Sequence, residues 1–126
     1  MPAESPEQCE ELYARYLNAR NVNSALSLYE PEASHIHRGG RVFRGHFALR
    51  HYLEELIATQ PRLTLRVNRV VRAGDDLAVV YDDWSLFATG LDGNTTNSRG
   101  RGIHVVRRQP SGEWLFSITG VTNSTW

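Results

Sequence analysis

The chain has 126 residues, 40% hydrophobic and 22% charged, with 14 basic and 14 acidic side chains and no net charge. Such a length buries a core without metals or disulfides and predicts one domain over residues 1–126. The charge balance excludes the basic footprint of a nucleic-acid partner or an anionic membrane, and the complete lack of lysine excludes a lysine Schiff base and a P-loop lysine.

Ser5-Pro6-Glu7-Gln8 is a helix start: serine caps, proline fits the first helical position, and Gln8 completes a capping box. Cys9, Leu12, Tyr13, Tyr16 and Leu17 then share one stripe. Cys9 is the lone cysteine, so it forms no internal disulfide; on that stripe it is expected to be a buried, inert thiol. Asn23 is placed to cap a second, short helix carrying Ala25, Leu26, Leu28 and Tyr29, and Pro31 to stop it.

Ala33 to His37 reads as a short strand, turned by Gly39-Gly40 so that Val42-Phe43-Arg44 pairs back. A third helix is expected from about His46 to Thr59, with Leu49, Tyr52, Leu53, Leu56 and Ile57 on its apolar face and Pro61 ending it. After Pro61 the rhythm changes from helical spacing to alternation. Turns at Gly74-Asp75-Asp76, Leu91 to Asn94 and Gln109 to Gly112 predict four strands, at 63–72, 77–89, 96–108 and 113–122. Helices first and a meander afterwards predict an α+β fold, a curved antiparallel sheet packed on three N-terminal helices and enclosing a pocket.

On the second long strand both parities are apolar: Leu77, Val79, Tyr81 and Phe87 on one, and Val80, Trp84 and Leu86, interrupted by Asp82, on the other. A strand with one solvated face alternates more cleanly, which predicts a homodimer through the sheet's outer face. The longest apolar run, Leu77 to Tyr81, is too short to cross a bilayer, and the opening residues lack a signal-peptide core. A soluble, cytoplasmic protein with no membrane partner is expected. Asn94-Thr95-Thr96 and Asn123-Ser124-Thr125 match the glycosylation pattern and are taken as chance matches.

Chemistry concentrates on four strand positions. His35 and His37, two apart, share one face, and neutral imidazole accepts a proton or binds metal. His104 shares its parity with Gly100 and Gly102, small residues that leave room for a ligand or mark a bulge. Asp82, between Val80 and Trp84, needs a hydrogen-bond partner if it faces inward. His35, His37, His104 and Asp82 would together supply enough ligands for zinc or iron. His-x-His also opens the cupin metal pattern, but cupins are all-β and no glutamate follows His37 at the customary spacing. No metal and no cofactor are expected.

Several stretches together resemble the nuclear transport factor 2-like superfamily, in its SnoaL-like and ketosteroid isomerase-like branch. They are Tyr13 to Leu28-Tyr29, the acidic link Glu30-Pro31-Glu32-Ala33, and Phe43-Arg44-Gly45 leading to Leu49 and Tyr52. Gly74 to Ala78 and Gly100-Arg101-Gly102 through Arg107 to Trp114 extend the likeness over nearly the whole chain. The resemblance implies a cone: a curved sheet wrapped on helices around a pocket. It also implies roles. Tyr13 falls where ketosteroid isomerases carry a tyrosine that hydrogen-bonds the substrate oxygen, His37 where they carry the general-base aspartate, and His104 where they carry the second oxyanion-hole carboxyl. Both carboxylates are histidines here.

The expected function is therefore cofactor-free proton transfer on a small hydrophobic, carbonyl-bearing molecule, of isomerase, cyclase or dehydratase type. His37, Tyr13 and His104 are the candidate catalytic residues; His35, Asp82, Trp84, Tyr52 and Gly102 are the candidate substrate-binding residues. The alternative is a ligand-binding or dimerisation module without chemistry. Convergence of His37, His104 and Tyr13 on one open cavity separates the two.

Overall fold

The computed structural model describes residues 2–122. In chain order these form α1 (Pro6–Asn18), α2 (Val22–Leu26), β1 (Tyr29–Ile36), β2 (Val42–Arg44), α3 (Gly45–Ala58), β3 (Arg62–Ala73), β4 (Leu77–Thr89), β5 (Thr95–Arg108) and β6 (Trp114–Thr122). The four long strands lie within one residue of their predicted bounds. The Asn123-Ser124-Thr125 match lies outside the described residues. No helix among the described residues is long and apolar enough to cross a membrane.

Local chemistry accounts for most element ends. Ser5 Oγ accepts the Gln8 N–H at 3.2 Å and Pro6 opens α1. The Gln8 side chain reaches back to the Glu4 N–H at 2.6 Å, one residue before the position a standard capping box uses. The cap of α2 is Asn21 rather than Asn23: Asn21 Oδ1 accepts the Ser24 N–H at 3.1 Å. Asn23 sits inside the helix and accepts from Arg50 Nη1 at 2.9 Å. Pro31 does not stop α2 either. It lies within β1, where the pairing with β6 shifts register between Tyr29 and Ser34, so a residue without an N–H is tolerated.

The sheet order is β2-β1-β6-β5-β4-β3. Neighbours are antiparallel except β1 and β6, which run parallel. The expected all-antiparallel sheet is thus modified at one junction, where the end of the meander returns beside the first strand. Register shifts at Val67/Arg69 and Val105/Val106 mark bulges, which bend strands and let the sheet curve. One register row crosses all six strands on the inner face: Val70, Val80, His104, Thr119, His35 and Phe43.

Against that face pack Leu12 and Leu17 of α1 and Leu49 and Leu53 of α3, all at most 1% exposed. Cys9 is fully buried, its Sγ donating to the Trp114 carbonyl at 3.3 Å, and burial raises its pKa to about 12. It is the inert thiol expected. The outer face is different. Ile36, Val71 and Ile118 are 42%, 43% and 43% exposed, so none of the described residues covers these side chains.

The end of α1 is tied to β3 by one side chain. Asn18 Nδ2 donates to the Leu63 carbonyl at 2.9 Å, and Asn18 Oδ1 accepts the Leu63 N–H at 2.7 Å. Asn18→Ala removes both bonds and leaves a part-buried N–H and C=O unpaired, at an expected cost of about 1–3 kcal/mol. Urea unfolding checks this; a loss below about 0.5 kcal/mol would mean that water replaces the tie.

Candidate functional site

Between the inner face and the helices lies a cavity of about 350 Å³. Its walls are mostly apolar, from Leu17, Phe43, Leu63, Leu65, Leu86 and Phe116. His37, His104 and Tyr13 all line it, as do His35, Asp82, Trp84 and Tyr52. Gly102 does not appear among the lining residues. A Cβ at Gly102 would lie 2.5 Å from Asp82 Oδ1 and 2.6 Å from His104 Nε2. The room that glycine leaves is therefore filled by these two side chains rather than by a ligand.

The most polar wall joins two strands and a helix. His104 Nε2 lies 2.8 Å from Asp82 Oδ2 and 3.4 Å from Glu10 Oε1, with all three side chains at most 8% exposed. Glu10 comes from α1, where it shares a face with Tyr13 and Leu17. Burial raises its carboxyl pKa to about 8; the Asp82 charge adds to this and His104 opposes it. Glu10 is thus an acid that keeps its proton at neutral pH. Burial opposes protonation of His104, but Glu10 in its ionised form and the hydrogen bond and charge of Asp82 outweigh it and raise its pKa. Glu10 and His104 thus hold one titrating proton between them rather than titrating independently.

Donors of metal-binding type are close here: one atom each from Glu10, Asp82 and His104 lie within 4.8 Å of one another. The imidazole's other side argues for a proton instead. The Gly120 N–H donates to His104 Nδ1 at 3.3 Å. Nδ1 is therefore an acceptor, and Nε2 carries a hydrogen that it gives to Asp82. A protonated Nε2 has no lone pair for a metal. His35 and His37, the other half of the metal set weighed from sequence, are not part of this group.

They belong to a second polar chain. His37 Nδ1 lies 3.4 Å from His35 Nε2, and His35 Nδ1 lies 2.7 Å from Thr119 Oγ1. Thr119 hydrogen-bonds the Tyr29 hydroxyl, and Tyr13 donates to Tyr29. His35 stacks 4.4 Å from the Tyr52 ring centroid. Burial lowers the His35 pKa to about 3, with His37 and His104 adding to the effect. Burial, then Arg38 and Arg41, lowers that of half-buried His37. Both imidazoles are neutral at neutral pH. Burial raises the Tyr13 pKa well above its ordinary value.

Three buried side-chain atoms among the described residues have no hydrogen-bond partner: Glu10 Oε1, Asp82 Oδ1 and Trp84 Nε1. All three belong to cavity-lining residues. Buried polar groups without partners are uncommon and costly. A proton on Glu10 lets it hydrogen-bond Asp82, which answers the two carboxyls, and leaves Trp84 Nε1 as the donor a ligand in the cavity would satisfy. Sequence reasoning missed Glu10, Thr119 and Tyr29. For Glu10 the signal was its i, i+3, i+7 spacing with Tyr13 and Leu17, hidden because a stripe search counts apolar residues alone.

Residues 9–115 match the model of the SnoaL-like domain, and the chain belongs to that family. No curated protein matches it in sequence. Among solved structures, a ketosteroid isomerase-like protein from Erwinia carotovora atroseptica superposes with a TM-score of 0.83, at 15% identity over 95% of this chain and 94% of that one. A nuclear transport factor 2-like superfamily protein from Salmonella enterica gives 0.80, at 20% identity over 94% and 88%. A candidate dehydratase of the same superfamily from Streptomyces avermitilis gives 0.77, at 14% identity over 95% and 94%. At such identities the shared property is the cone fold.

Two outcomes follow from the Glu10–Asp82–His104 group. The fold raises the Glu10 pKa from 4.5 to about 8, so its stabilisation is full below the lower value and is lost as pH rises through the upper one. His35 has the opposite sign: lowered from 6.5 to about 3, it stabilises fully above 6.5 and less as pH falls toward 3. Glu10→Gln should therefore gain on the wild type steadily in urea midpoint between about pH 5 and pH 8. A constant difference would mean that Glu10 ionises normally. Gly102→Ala should separate Asp82 from His104 and cost about 1–3 kcal/mol in the same assay; a neutral result would contradict the close packing.

Proposed function

We propose, for this member of the SnoaL-like family, a cofactor-free proton-transfer reaction of isomerase, cyclase or dehydratase type on a small, largely apolar carbonyl compound held in the cavity. The observation that supports this most is the neutral Glu10 carboxyl beside the Asp82–His104 pair on the wall of a mostly apolar chamber. An acid that keeps its proton near the operating pH suits proton transfer. His37, neutral and half-buried, takes a proton from the carbon next to the carbonyl as the electron pair moves to oxygen. Glu10 gives its proton to that oxygen, forming the enol; the Asp82 charge serves only to keep that proton available near neutral pH, and His104, 3.4 Å away, steadies the carboxylate left behind. Return of a proton to another carbon, or loss of a leaving group, completes the turnover. From sequence, the oxyanion role fell to Tyr13 and His104. In this reading their hydrogens go to Tyr29 and Asp82, and Glu10, the acid with a pKa nearest neutral, takes the donor role by turning its proton from Asp82 to the substrate oxygen.

A second reading, binding without chemistry, is favoured by one observation: the His37-His35-Thr119-Tyr29-Tyr13 chain is satisfied within itself. Deuterium exchange of 2-tetralone in D2O, followed by proton NMR, separates the two. Proton-transfer chemistry should speed exchange about 10²-fold or more over buffer. Glu10→Gln and His37→Gln should each lose most of that gain with binding retained. Binding with exchange at the buffer rate would establish the second reading.

We also propose that the outer sheet face joins two copies of the chain. Its register rows are apolar across strands: Val71, Val79, Val105 and Ile118 in one, and Tyr81, Ile103, Gly120 and Ile36 in the next. A contiguous exposed apolar patch of this kind marks an interaction surface, and zero net charge leaves no repulsion between copies. Sedimentation should give twice the 14.3 kDa chain mass, and Ile118→Glu should give the chain mass itself. A monomeric wild type would contradict the dimer.

A further inference from the structure

The mouth of the cavity carries charge that the proton-transfer reading leaves unused. Of the chain's 14 arginines, Arg38 and Arg41 are the two among the lining residues. Neither has a carboxylate partner among the described residues. Each lies over an aromatic ring of the cavity wall, Arg38 5.7 Å from the Trp84 centroid and Arg41 4.6 Å from that of Phe43. A guanidinium held at cation–π distance from a ring spends none of its N–H donors on it and keeps them free for an anion.

The segment that carries them is fixed. The His37 N–H donates to the Arg41 carbonyl at 2.7 Å, and the Gly40 N–H to the His37 carbonyl at 3.0 Å. The reversal needs φ of 85° at Gly39 and 89° at Gly40, values that favour glycine. Trp84, beneath Arg38, is 7% exposed and its Nε1 has no partner. Of the three acidic lining residues, Glu10 and Asp82 are buried with His104 in the interior, and Glu55 of α3 is the one that is exposed, as the arginines are. At the exposed end of the cavity two arginines against one glutamate leave an excess of one positive charge, matched to a monoanion.

We propose that Arg38 and Arg41 clamp the carboxylate of an amphipathic ligand whose aromatic or alicyclic body fills the cavity. The substrate class is then a cyclic carbonyl compound bearing one carboxylate, held with its charged end at the mouth and its apolar end toward Glu10 and Asp82. This refinement rests on the cavity being the ligand site, as in the proposed function, but not on any turnover there. Charge-assisted, two-pronged pairing gives the clamp its preference for carboxylate over a neutral group of the same shape.

Calorimetric titration with 2-naphthoate and with neutral 2-naphthamide tests it. In the wild type at low salt, naphthoate should bind about tenfold or more tighter than naphthamide. The R38Q/R41Q double variant should erase that preference with naphthamide affinity unchanged, and each single variant should lie between. Glu55→Gln should strengthen naphthoate binding alone. Equal affinities in the wild type would overturn the clamp and leave the cavity reading standing. A preference that survives in R38Q/R41Q would place the anion elsewhere and overturn it too. Binding of neither compound would overturn the cavity reading and the clamp with it.

Discussion

The hydrogen bond between Asp82 and His104, 2.8 Å long and almost wholly out of water, is the contact around which the interior is arranged. A buried carboxylate is tolerated only when donors compensate its lost hydration. His104 supplies one donor, and the Gly120 N–H fixes which nitrogen does so. Gly102 is required because any side chain there would enter the space the pair occupies. Glu10, the third member, would be a second negative charge in the same apolar volume. Its proton stays on instead, and a buried acid active near neutral pH results.

The fold makes this possible by geometry rather than by local propensity. Bulges in β3 and β5 bend the sheet, and α1 and α3 close the concave side without filling it. The inner register row changes character along its length, from Val70 and Val80 through His104, Thr119 and His35 to Phe43. Polar groups on three successive strands face one chamber, where each is either bonded to another or left open to a ligand. The unpartnered Trp84 Nε1 and the arginines at the mouth both belong to residues that line that same space.

Much of this was legible in the residues. Alternation after Pro61 set the four long strands, and strand parity grouped Asp82 with Trp84 and His35 with His37 without fixing which way Asp82 faced; the structure puts all of them, with His104, on the cavity wall. Where reading failed, a tertiary cause was responsible. Asn23 was taken for a cap because its type is right, but Asn21, two residues earlier, has the N–H to accept. Pro31 was taken for a stop because proline ends helices, but a gap in strand pairing accommodates it. The parallel β1–β6 contact joins segments some eighty residues apart, and no local pattern signals it. Glu10 was passed over because buried acids are rare, so a helical stripe is normally traced through apolar residues alone. Arg38 and Arg41 flank two glycines and drew no reading from the sequence; only the folded turn brings both to the cavity.

The central claim is that α1 presents a protonated acid to the Asp82–His104 pair. Carbon-13 NMR of the Glu10 side-chain carboxyl, followed across pH, tests it most directly. The account predicts a titration midpoint near pH 8 that moves down when Asp82 is replaced by Asn. A midpoint near the ordinary 4.5, unmoved by that replacement, would contradict it.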